Sequence, residues 1–347
     1  MANKSGSGRL VYADLLRVAA SLAVVVLHVA GSQMYAVPVS SPQWQVLNLW
    51  DGLVRWCVPV FVMLSGMFLL DPSRPYRLLT HCVRPAVCLL LYGVLYNWYD
   101  RDCPLTWSGL RDSFLSLCRG ELHYHLWFLP MLLGLYLLAP VLRAFCKGAS
   151  DKDFLWFFLL TFLFASLLPT AFALWPGRTA PLRVWYSHFQ LQSLLGYGGY
   201  FLAGYWLRSR SLHLPAKLLC LLLGILGGLV TVLGTASLSQ KAGGMIDTLY
   251  GYFAPNVVLF AVGVVALFGL LWEKANPVGF FSGAAKLSLG VYLLHDLLLQ
   301  TLLKHGITPL SFPPVWAVPL LALGIFLTAL AASWLLSKLP LAGKWLT

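Results

Sequence analysis

The sequence predicts an all-α membrane protein, a polytopic bundle of about ten transmembrane helices with both termini in the cytoplasm. Three observations support this prediction. Hydrophobic residues make up 59% of the chain, charged residues make up only 10%, and apolar stretches of membrane-spanning length recur from one end to the other. A soluble domain is about one quarter charged. A chain this apolar therefore needs the bilayer as its solvent.

The apolar stretches are separated by clusters of Pro, Gly and charged residues, which mark helix ends. The first stretch is long enough to span, and no convincing signal-peptide cleavage site follows it. The segment 107–118 is predicted to be a short interfacial helix. Because no repeat and no soluble domain is visible, residues 1–347 are predicted to form one domain. The ten predicted spans are 10–31, 48–70, 77–99, 123–145, 153–174, 188–208, 216–236, 250–272, 284–304 and 315–338.

The orientation follows from the positive-inside rule. With a cytoplasmic N-terminus, 14 of the 24 Lys and Arg residues fall on the cytoplasmic side and seven in outer loops, which leaves Arg17, Arg55 and Arg84 inside spans. The net charge of +12 is therefore explained by loops that set orientation, and no long basic run suggests nucleic acid as a partner. Membrane lipids are the expected surroundings.

The seven cysteines lie mostly in apolar segments, and none has the C-x-x-C spacing typical of a zinc site. We expect reduced, unreactive thiols. A disulfide between Cys103 and Cys118, which would share one outer loop, remains an open alternative.

The first predicted helix carries a stripe of polar residues that a membrane span does not need. At 100° per residue, Arg17 and His28 lie about 20° apart around the helix axis and roughly 16 Å apart along it. Asp14 and Ser21 fall on the same face. Ionisable groups in a span are costly, so the stripe predicts a functional site. Two structural explanations stay open: Asp14 and Arg17 neutralise one another, and His28 is a hydrogen-bonded core residue.

Two further spans bring polar residues to the outer depth of His28. Arg55, with Asp51 one turn before it, begins the second span, and His125 begins the fourth. A metal site is not expected, because His123 and His125 at i, i+2 are not neighbours on one helix face and no H-E-x-x-H motif occurs. Convergence of His28, Arg55 and His125 from three helices favours a catalytic or binding site.

Two other groups of residues have both a functional and a structural explanation. Arg74 and Arg77 follow the second span directly and fit either an ordinary positive-inside loop or a clamp for phosphate groups, which guanidinium groups bind in bidentate fashion. Ser288, Tyr292 and His295 share one face of the ninth span. His295 either supports the site or bonds a neighbouring helix.

The order and spacing of these residues resemble the acyltransferase-3 family of membrane-bound acyltransferases. The matches extend over nearly the whole chain, and within the family they look closest to the O-acetyltransferase of enterobacterial common antigen. The matching motifs are Asp14-Leu15-Leu16-Arg17 with His28, Arg55-Trp56-Cys57-Val58-Pro59-Val60-Phe61 with Leu64-Ser65-Gly66, Arg74-x-x-Arg77, Tyr124-His125-Leu126-Trp127-Phe128, and Ser288-Leu289-Gly290-Val291-Tyr292 with His295.

The resemblance implies an enzyme that moves an acyl group, usually acetyl, from cytoplasmic acyl-coenzyme A to a hydroxyl group at the outer side. The acceptor would be a sugar or another cell-envelope molecule, such as an envelope glycan or a lipid-linked sugar. Acetyl-coenzyme A would be a donor substrate, no cofactor would be permanently bound, and the location would be the bacterial cytoplasmic (inner) membrane. The expected roles are catalysis by His28 with Arg17 and Asp14; donor binding by Arg74 and Arg77; acceptor binding or oxyanion stabilisation by Arg55, His125 and Trp127; and support by Ser65, Tyr292 and His295.

Three questions stay open at this point. The polar spans also fit a transporter or flippase of an envelope precursor, although no paired repeats or matching broken helices are visible. An accessory or sensory membrane domain without chemistry is a further alternative. For the enzyme, direct transfer with His28 as general base and a covalent acyl-His28 intermediate are both compatible with the sequence.

Overall fold

The computed structural model describes residues 10–101, 106–210, 212–273, 275–276, 279–340 and 342–345. Within these ranges the protein is helical and contains no β-strand, as the sequence predicts. Cys103 lies outside the described ranges, so the open disulfide has only one described partner, Cys118.

Seventeen α-helices are seen in the described residues, together with two 3₁₀ turns (Tyr124–Trp127 and Thr248–Tyr250) and two π-helical segments (Phe162–Leu167 and Val230–Gly234). The α-helices are α1 (Val11–Gly31), α2 (Pro42–Val54), α3 (Cys57–Leu69), α4 (Leu78–Asp100), α5 (Trp107–Cys118), α6 (Phe128–Gly148), α7 (Asp151–Thr161), α8 (Leu168–Leu174), α9 (Ala180–Phe189), α10 (Gln192–Ser209), α11 (Leu214–Leu229), α12 (Thr235–Ala242), α13 (Pro255–Trp272), α14 (Gly279–Lys286), α15 (Ser288–Lys304), α16 (Pro314–Ser337) and α17 (Ala342–Trp345).

Eight helical segments of the described chain are long and apolar enough to cross a membrane, and each overlaps one predicted span. The remaining two predicted spans, 188–208 and 284–304, hold α10 and α15, which are 18 and 17 residues long. The polytopic helical bundle is confirmed; the count of ten and the cytoplasmic termini stay predictions. The eight segments are Val11–Gly31, Pro42–Leu69, Leu78–Asp100, Tyr124–Gly148, Asp151–Leu174, Leu214–Ala242, Thr248–Trp272 and Pro314–Ser337.

The second predicted span, 48–70, begins too late, and the structure has two helices there rather than one. The first of them starts at Pro42, where the Ser41 side chain accepts a hydrogen bond from the Trp44 backbone. Proline fits the first turn of a helix, which has no partner for its N–H. The helix is then interrupted at Arg55 and Trp56 because Pro59 has no N–H to donate to the carbonyl four residues earlier and clashes with it.

The sixth predicted span is also divided. Helix α9 ends at Phe189, and Gln190 follows with a left-handed φ of 55° before α10 begins. The predicted interfacial segment 107–118, in contrast, forms α5 with the same bounds, begun by Thr106, whose side chain accepts a hydrogen bond from the Gly109 backbone.

Helix α1 lies at the centre of the bundle. It packs against α2, α3, α13, α14, α15 and α16. Leu16, Ala20, Val29 and Ala30 have no exposed surface. The polar residues of α1 are therefore surrounded by protein rather than by lipid, which is the arrangement that ionisable groups in a membrane require.

Helices α3 and α10 approach each other closely because both present glycine where they cross. A Cβ atom added to Gly66 would lie 1.8 Å from the Phe201 carbonyl oxygen, and one added to Gly204 would lie 1.9 Å from the Met63 carbonyl oxygen. Small residues allow this approach between membrane helices. The crossing fixes α3 against α10, and α3 in turn packs on α1.

We expect Gly66→Ala or Gly204→Ala to push α3 and α10 apart and to lower the free energy of unfolding by about 1–3 kcal/mol, the usual cost of overpacking. Thermal unfolding in detergent, followed by size-exclusion chromatography, measures the effect. Gly134→Ala on α6 is the matched control, because nothing lies within 4 Å of the added Cβ atom. Equal stability of all three variants would contradict this account of the crossing.

Candidate active site

Three cavities lie in series along the bundle. The central cavity has a volume of about 450 Å³ and is lined by Arg17 at one end and His28 at the other. The wide cavity, of about 880 Å³, extends from His28 to the exposed Tyr35 beyond the end of α1. The arginine cavity, of about 710 Å³, lies at the opposite end and is lined by Arg74, Arg143 and Arg208, among others.

The cavities adjoin through a few shared side chains. His28, Leu27, Trp127 and Tyr252 line both the central and the wide cavity. His81 lines both the central and the arginine cavity. His28 therefore lies where two cavities meet, and the central and wide cavities together follow α1 from Arg17 to Gly31.

His28 is held by a second histidine. Its Nδ1 lies 2.7 Å from Nε2 of His295, and the two rings are nearly parallel, with centroids 4.9 Å apart. His295 has no exposed surface, and its own Nδ1 lies 2.7 Å from the Tyr292 carbonyl oxygen. The pair is a direct contact between α1 and α15, and it is compatible with both explanations that the sequence leaves open for His295.

His125 is a buried histidine whose ring forms no hydrogen bond with any residue that the structure describes. The residue is 2% exposed, lines the central cavity, and leaves both ring nitrogens unpaired. Its backbone is fixed by the Tyr292 hydroxyl, which donates to the His125 carbonyl oxygen at 2.7 Å. Buried polar groups are nearly always hydrogen-bonded, so a positioned but unpaired ring beside a cavity indicates a place for a ligand atom.

Asp296 anchors the segment that precedes α6. Its carboxylate accepts hydrogen bonds from Tyr124 and from His123, whose Nε2 lies 2.5 Å away. The other ring nitrogen of His123 lies 2.5 Å from Asp100. His125 also faces Asp296, at 3.7 Å. The network ties α4, α15 and the turn at Tyr124–Trp127 together.

Two groups of side chains in this region have ligand atoms near enough to share a cation: His28, His295 and Asp296, and His123, His125 and Asp296. The helix-face argument does not apply to His123, which precedes the 3₁₀ turn with an extended backbone, and its ligand atom lies near that of His125. Ligands of one tetrahedral ion lie roughly 3.3 Å apart at Zn–N distances near 2.0 Å. The distances of 2.7 and 2.5 Å are those of direct hydrogen bonds instead.

An ion pair forms one wall of the wide cavity. Arg55 Nη2 lies 2.6 Å from Asp51 Oδ2, and the guanidinium carbon lies 4.1 Å from the centre of the Tyr250 ring. Asp51 has no exposed surface. The helix break at Arg55 turns this side chain toward the wide cavity, where it joins His28 as the sequence predicts.

The arginine cavity holds one acidic residue among its basic ones. Arg143 donates to the backbone carbonyls of Leu69 and Arg74, each at 2.5 Å. Asp71 lies 3.5 Å from Arg208 and 3.3 Å from Arg74. Partial burial raises the pKa of Asp71, but hydrogen bonds from Ser73 and the charges of Arg208 and Arg74 outweigh it, so the pKa lies below its ordinary value. The cavity keeps a positive excess, which suits an anionic ligand.

Two arginines line the end of the central cavity that adjoins the arginine cavity. Arg17 lies there with its guanidinium 5.9 Å from the Phe68 ring. Arg84, from the first turns of α4, has two buried guanidinium nitrogens, Nε and Nη2, that have no hydrogen-bond partner among the described residues. Tyr136 and Ser65 complete this end. An unpaired guanidinium beside a cavity marks a second place for a polar ligand atom.

Most residues predicted from the sequence meet at these cavities. Arg17, His28, Ser65, His125, Trp127 and Tyr292 line the central cavity, Arg55 lines the wide cavity, Arg74 lines the arginine cavity, and His295 contacts His28. Two of the predicted site residues, Asp14 and Arg77, do not line the three cavities. Asp14 accepts a hydrogen bond from Ser282 of α14, and Arg77 is an exposed residue at the start of α4.

The sequence reasoning missed several residues of the site. Arg84 carries the same signal as Arg17, an ionisable side chain inside an apolar span, and this signal could have identified it. Asp296 is also ionisable and follows His295 directly. Arg143 and Arg208 resemble ordinary loop-proximal charges, and only the packing of α6 and α10 brings them beside Arg74.

We expect Asp51→Asn to destabilise the protein by about 3–5 kcal/mol, because it leaves the Arg55 charge without its partner in a largely buried setting. The double variant Asp51→Asn with Arg55→Gln removes both charges and should recover most of the loss. Thermal unfolding in detergent measures both. A double variant no more stable than the single one would show that the ion pair is not the cause.

Comparison with known proteins agrees with this geometry. The Acyl_transf_3 family model, described as an acyltransferase domain, matches residues 10–338. No curated protein and no solved structure matches the chain. The match covers all three cavities and every helix that lines them. The chain therefore belongs to the acyltransferase-3 family and is a membrane-bound acyltransferase.

Proposed function

We propose that the protein moves an acetyl group from acetyl-coenzyme A, bound from the cytoplasm, to a hydroxyl group of a cell-envelope glycan or lipid-linked sugar. The main observation that supports this proposal is the position of His28, which lines both the central and the wide cavity. A side chain at that junction can contact a donor entering from one end and an acceptor entering from the other. The cell would be bacterial and the membrane its inner membrane.

The donor fits the two cavities on the Arg17 side. Coenzyme A carries phosphates that do not enter a bilayer, and the arginine cavity offers Arg74, Arg143 and Arg208 at one rim. Its slender pantetheine arm would pass His81 into the central cavity and extend along α1 toward His28. Arg17 and Arg84 line this route and supply donors for its amide and carbonyl oxygens.

The reaction then needs a base and a donor for the oxyanion. His28 takes the proton from the acceptor hydroxyl as its oxygen attacks the thioester carbonyl, because a neutral alcohol is a poor nucleophile. The new ester bond forms, the carbon–sulfur bond breaks, and His28 returns the proton to the leaving thiolate. Charge is thus balanced within the site, and no further reactant is required.

His125 is the best placed candidate for the oxyanion donor. The hydroxyls of Tyr124 and Tyr292 already donate to Asp296 and to the His125 carbonyl oxygen. Arg55 is paired with Asp51 and lies on the wide-cavity side. The His125 ring is buried, unpaired and beside His28, with ring centroids 6.2 Å apart. A ring nitrogen that carries a hydrogen there can donate to the oxygen that gains charge.

The acceptor fits the wide cavity. Trp127 and Tyr252 stack there with centroids 5.8 Å apart, and Arg55, Asp247 and Gln300 add polar groups. Aromatic faces with polar neighbours suit a sugar ring, which is apolar on its faces and polar at its edge. The resemblance to the O-acetyltransferase of enterobacterial common antigen makes an envelope glycan our first choice of acceptor.

The decisive experiment supplies acetyl-labelled acetyl-coenzyme A to membranes that contain the protein and measures base-labile label in the envelope glycan fraction. We expect transfer with the wild-type chain and none with His28→Ala, while membrane insertion is unchanged. Full transfer by His28→Ala would overturn the mechanism. Label trapped on the protein without acceptor would favour a covalent acyl-His28 intermediate over direct transfer.

The cavity series also fits the rival function, transport of an envelope precursor. A transporter would move its solute without releasing coenzyme A from acetyl-coenzyme A. Release of the free thiol by purified protein, dependent on added membrane extract and on His28, favours the acyltransferase. Transport without thiol release would favour the rival.

We expect Arg84→Gln and Arg74→Ala to raise the KM for acetyl-coenzyme A roughly tenfold, as for the loss of one charge-assisted contact, with little change in acceptor KM. Lys152→Ala, at an exposed position at the start of α7 outside the described cavities, is the control. Initial rates at varied donor concentration measure the effect. An unchanged donor KM in both arginine variants would contradict this donor route.

A further inference from the structure

We propose that His295 is a positioning residue that sets the tautomer of His28, so that the lone pair of His28 Nε2 is available to take the acceptor proton. The proposal rests on the proposed function, since it assigns a role within the same site. It goes beyond that function because the choice of base alone does not say which ring nitrogen acts.

The hydrogen bonds of His295 determine its own tautomer. Its Nδ1 lies 2.7 Å from the Tyr292 carbonyl oxygen and 3.2 Å from the Val291 carbonyl oxygen. A backbone carbonyl only accepts hydrogen bonds. Nδ1 of His295 must therefore carry a hydrogen, because a lone pair placed against two carbonyl oxygens would be repelled. In the neutral imidazole, Nε2 of His295 is then the acceptor.

The tautomer of His295 in turn determines the tautomer of His28. Only Nδ1 of His28 faces Nε2 of His295, at 2.7 Å. Since His295 Nε2 accepts, His28 Nδ1 must donate and so carries the single hydrogen of a neutral ring. Nε2 of His28 is left with its lone pair. The bond made by one ring nitrogen decides the state of the other, which is the general rule for histidines in functional sites.

The pair of His28 and His295 is held rigidly. His295 has no exposed surface, so water does not compete for its nitrogens. The two rings are inclined by only 17° and meet edge to edge through the hydrogen bond, which fixes the orientation of His28 as well as its tautomer. The charged and titratable groups around the pair are Asp296 on the same helix, His123 and His125 from the segment before α6, and Arg55 on the wide-cavity side. Asp296 is committed to His123 and Tyr124 rather than to His295.

The test compares two amides of similar polarity. In His295→Gln the side-chain oxygen reaches the former position of Nε2 and can accept from His28. In His295→Asn the shorter amide can replace only Nδ1, which faces the carbonyls. We expect kcat to stay within about tenfold of wild type for Gln and to fall about 100-fold for Asn and for His295→Leu, the usual scale of general-base catalysis. The KM for acetyl-coenzyme A should not change.

A second measurement does not depend on activity. Nitrogen-15 NMR of the histidine-labelled wild-type protein in detergent, with His28→Ala used to assign the His28 signals, distinguishes a protonated from an unprotonated ring nitrogen. We expect a hydrogen on Nδ1 of His28 and none on Nε2. Hydrogen on Nε2 would overturn the proposal, as would equal loss of kcat in the Gln and Asn variants. If the wild type transfers no acetyl group, the proposed function fails, whereas the NMR result still decides the tautomer.

Discussion

The cost of placing polar side chains in a bilayer governs the structure. Each ionisable residue of a span has to find a partner inside the protein or face a cavity. His28 meets this demand through His295, and Arg55 meets it through Asp51. The bundle surrounds α1 on all the faces that carry these groups, and the close crossing of α3 and α10 holds one side of that enclosure. His125 and Arg84 have buried nitrogens without a partner among the described residues, and both line a cavity.

The polar side chains of the site are therefore of two kinds. Some are held by hydrogen bonds within the protein, and others are available to bind a ligand. Tyr124, Tyr292 and His295 use their polar atoms to hold other residues. The ring of His125 and the guanidinium of Arg84 are placed by packing, and each has nitrogens that bond no described residue. Preorganised donors are effective because they do not reorganise as charge develops. The same helices therefore supply both the rigid frame and the reactive groups, and each group has one task.

Much of the site could be predicted from the sequence because the spacing of residues along a helix determines which of them share one face. The spacing of Arg17 and His28 puts them on one face of α1, and both line the central cavity. The break at Arg55 was also present in the sequence, since Pro59 lies four residues later, but a continuous apolar run concealed it. The contact of His28 with His295 joins residues 267 positions apart, and no local pattern gives its geometry. The same holds for Arg143 and Arg208, which reach Arg74 only through packing of α6 and α10.

The central claim is that one histidine joins a donor route and an acceptor route that open on opposite sides of the membrane. Sealed inverted membrane vesicles, which present the cytoplasmic face outward, test it most directly when acetyl-labelled acetyl-coenzyme A is added outside only. The account predicts base-labile label on glycans inside the intact vesicles, absent with His28→Ala. Label that reaches those glycans only after the vesicles are made permeable would contradict it.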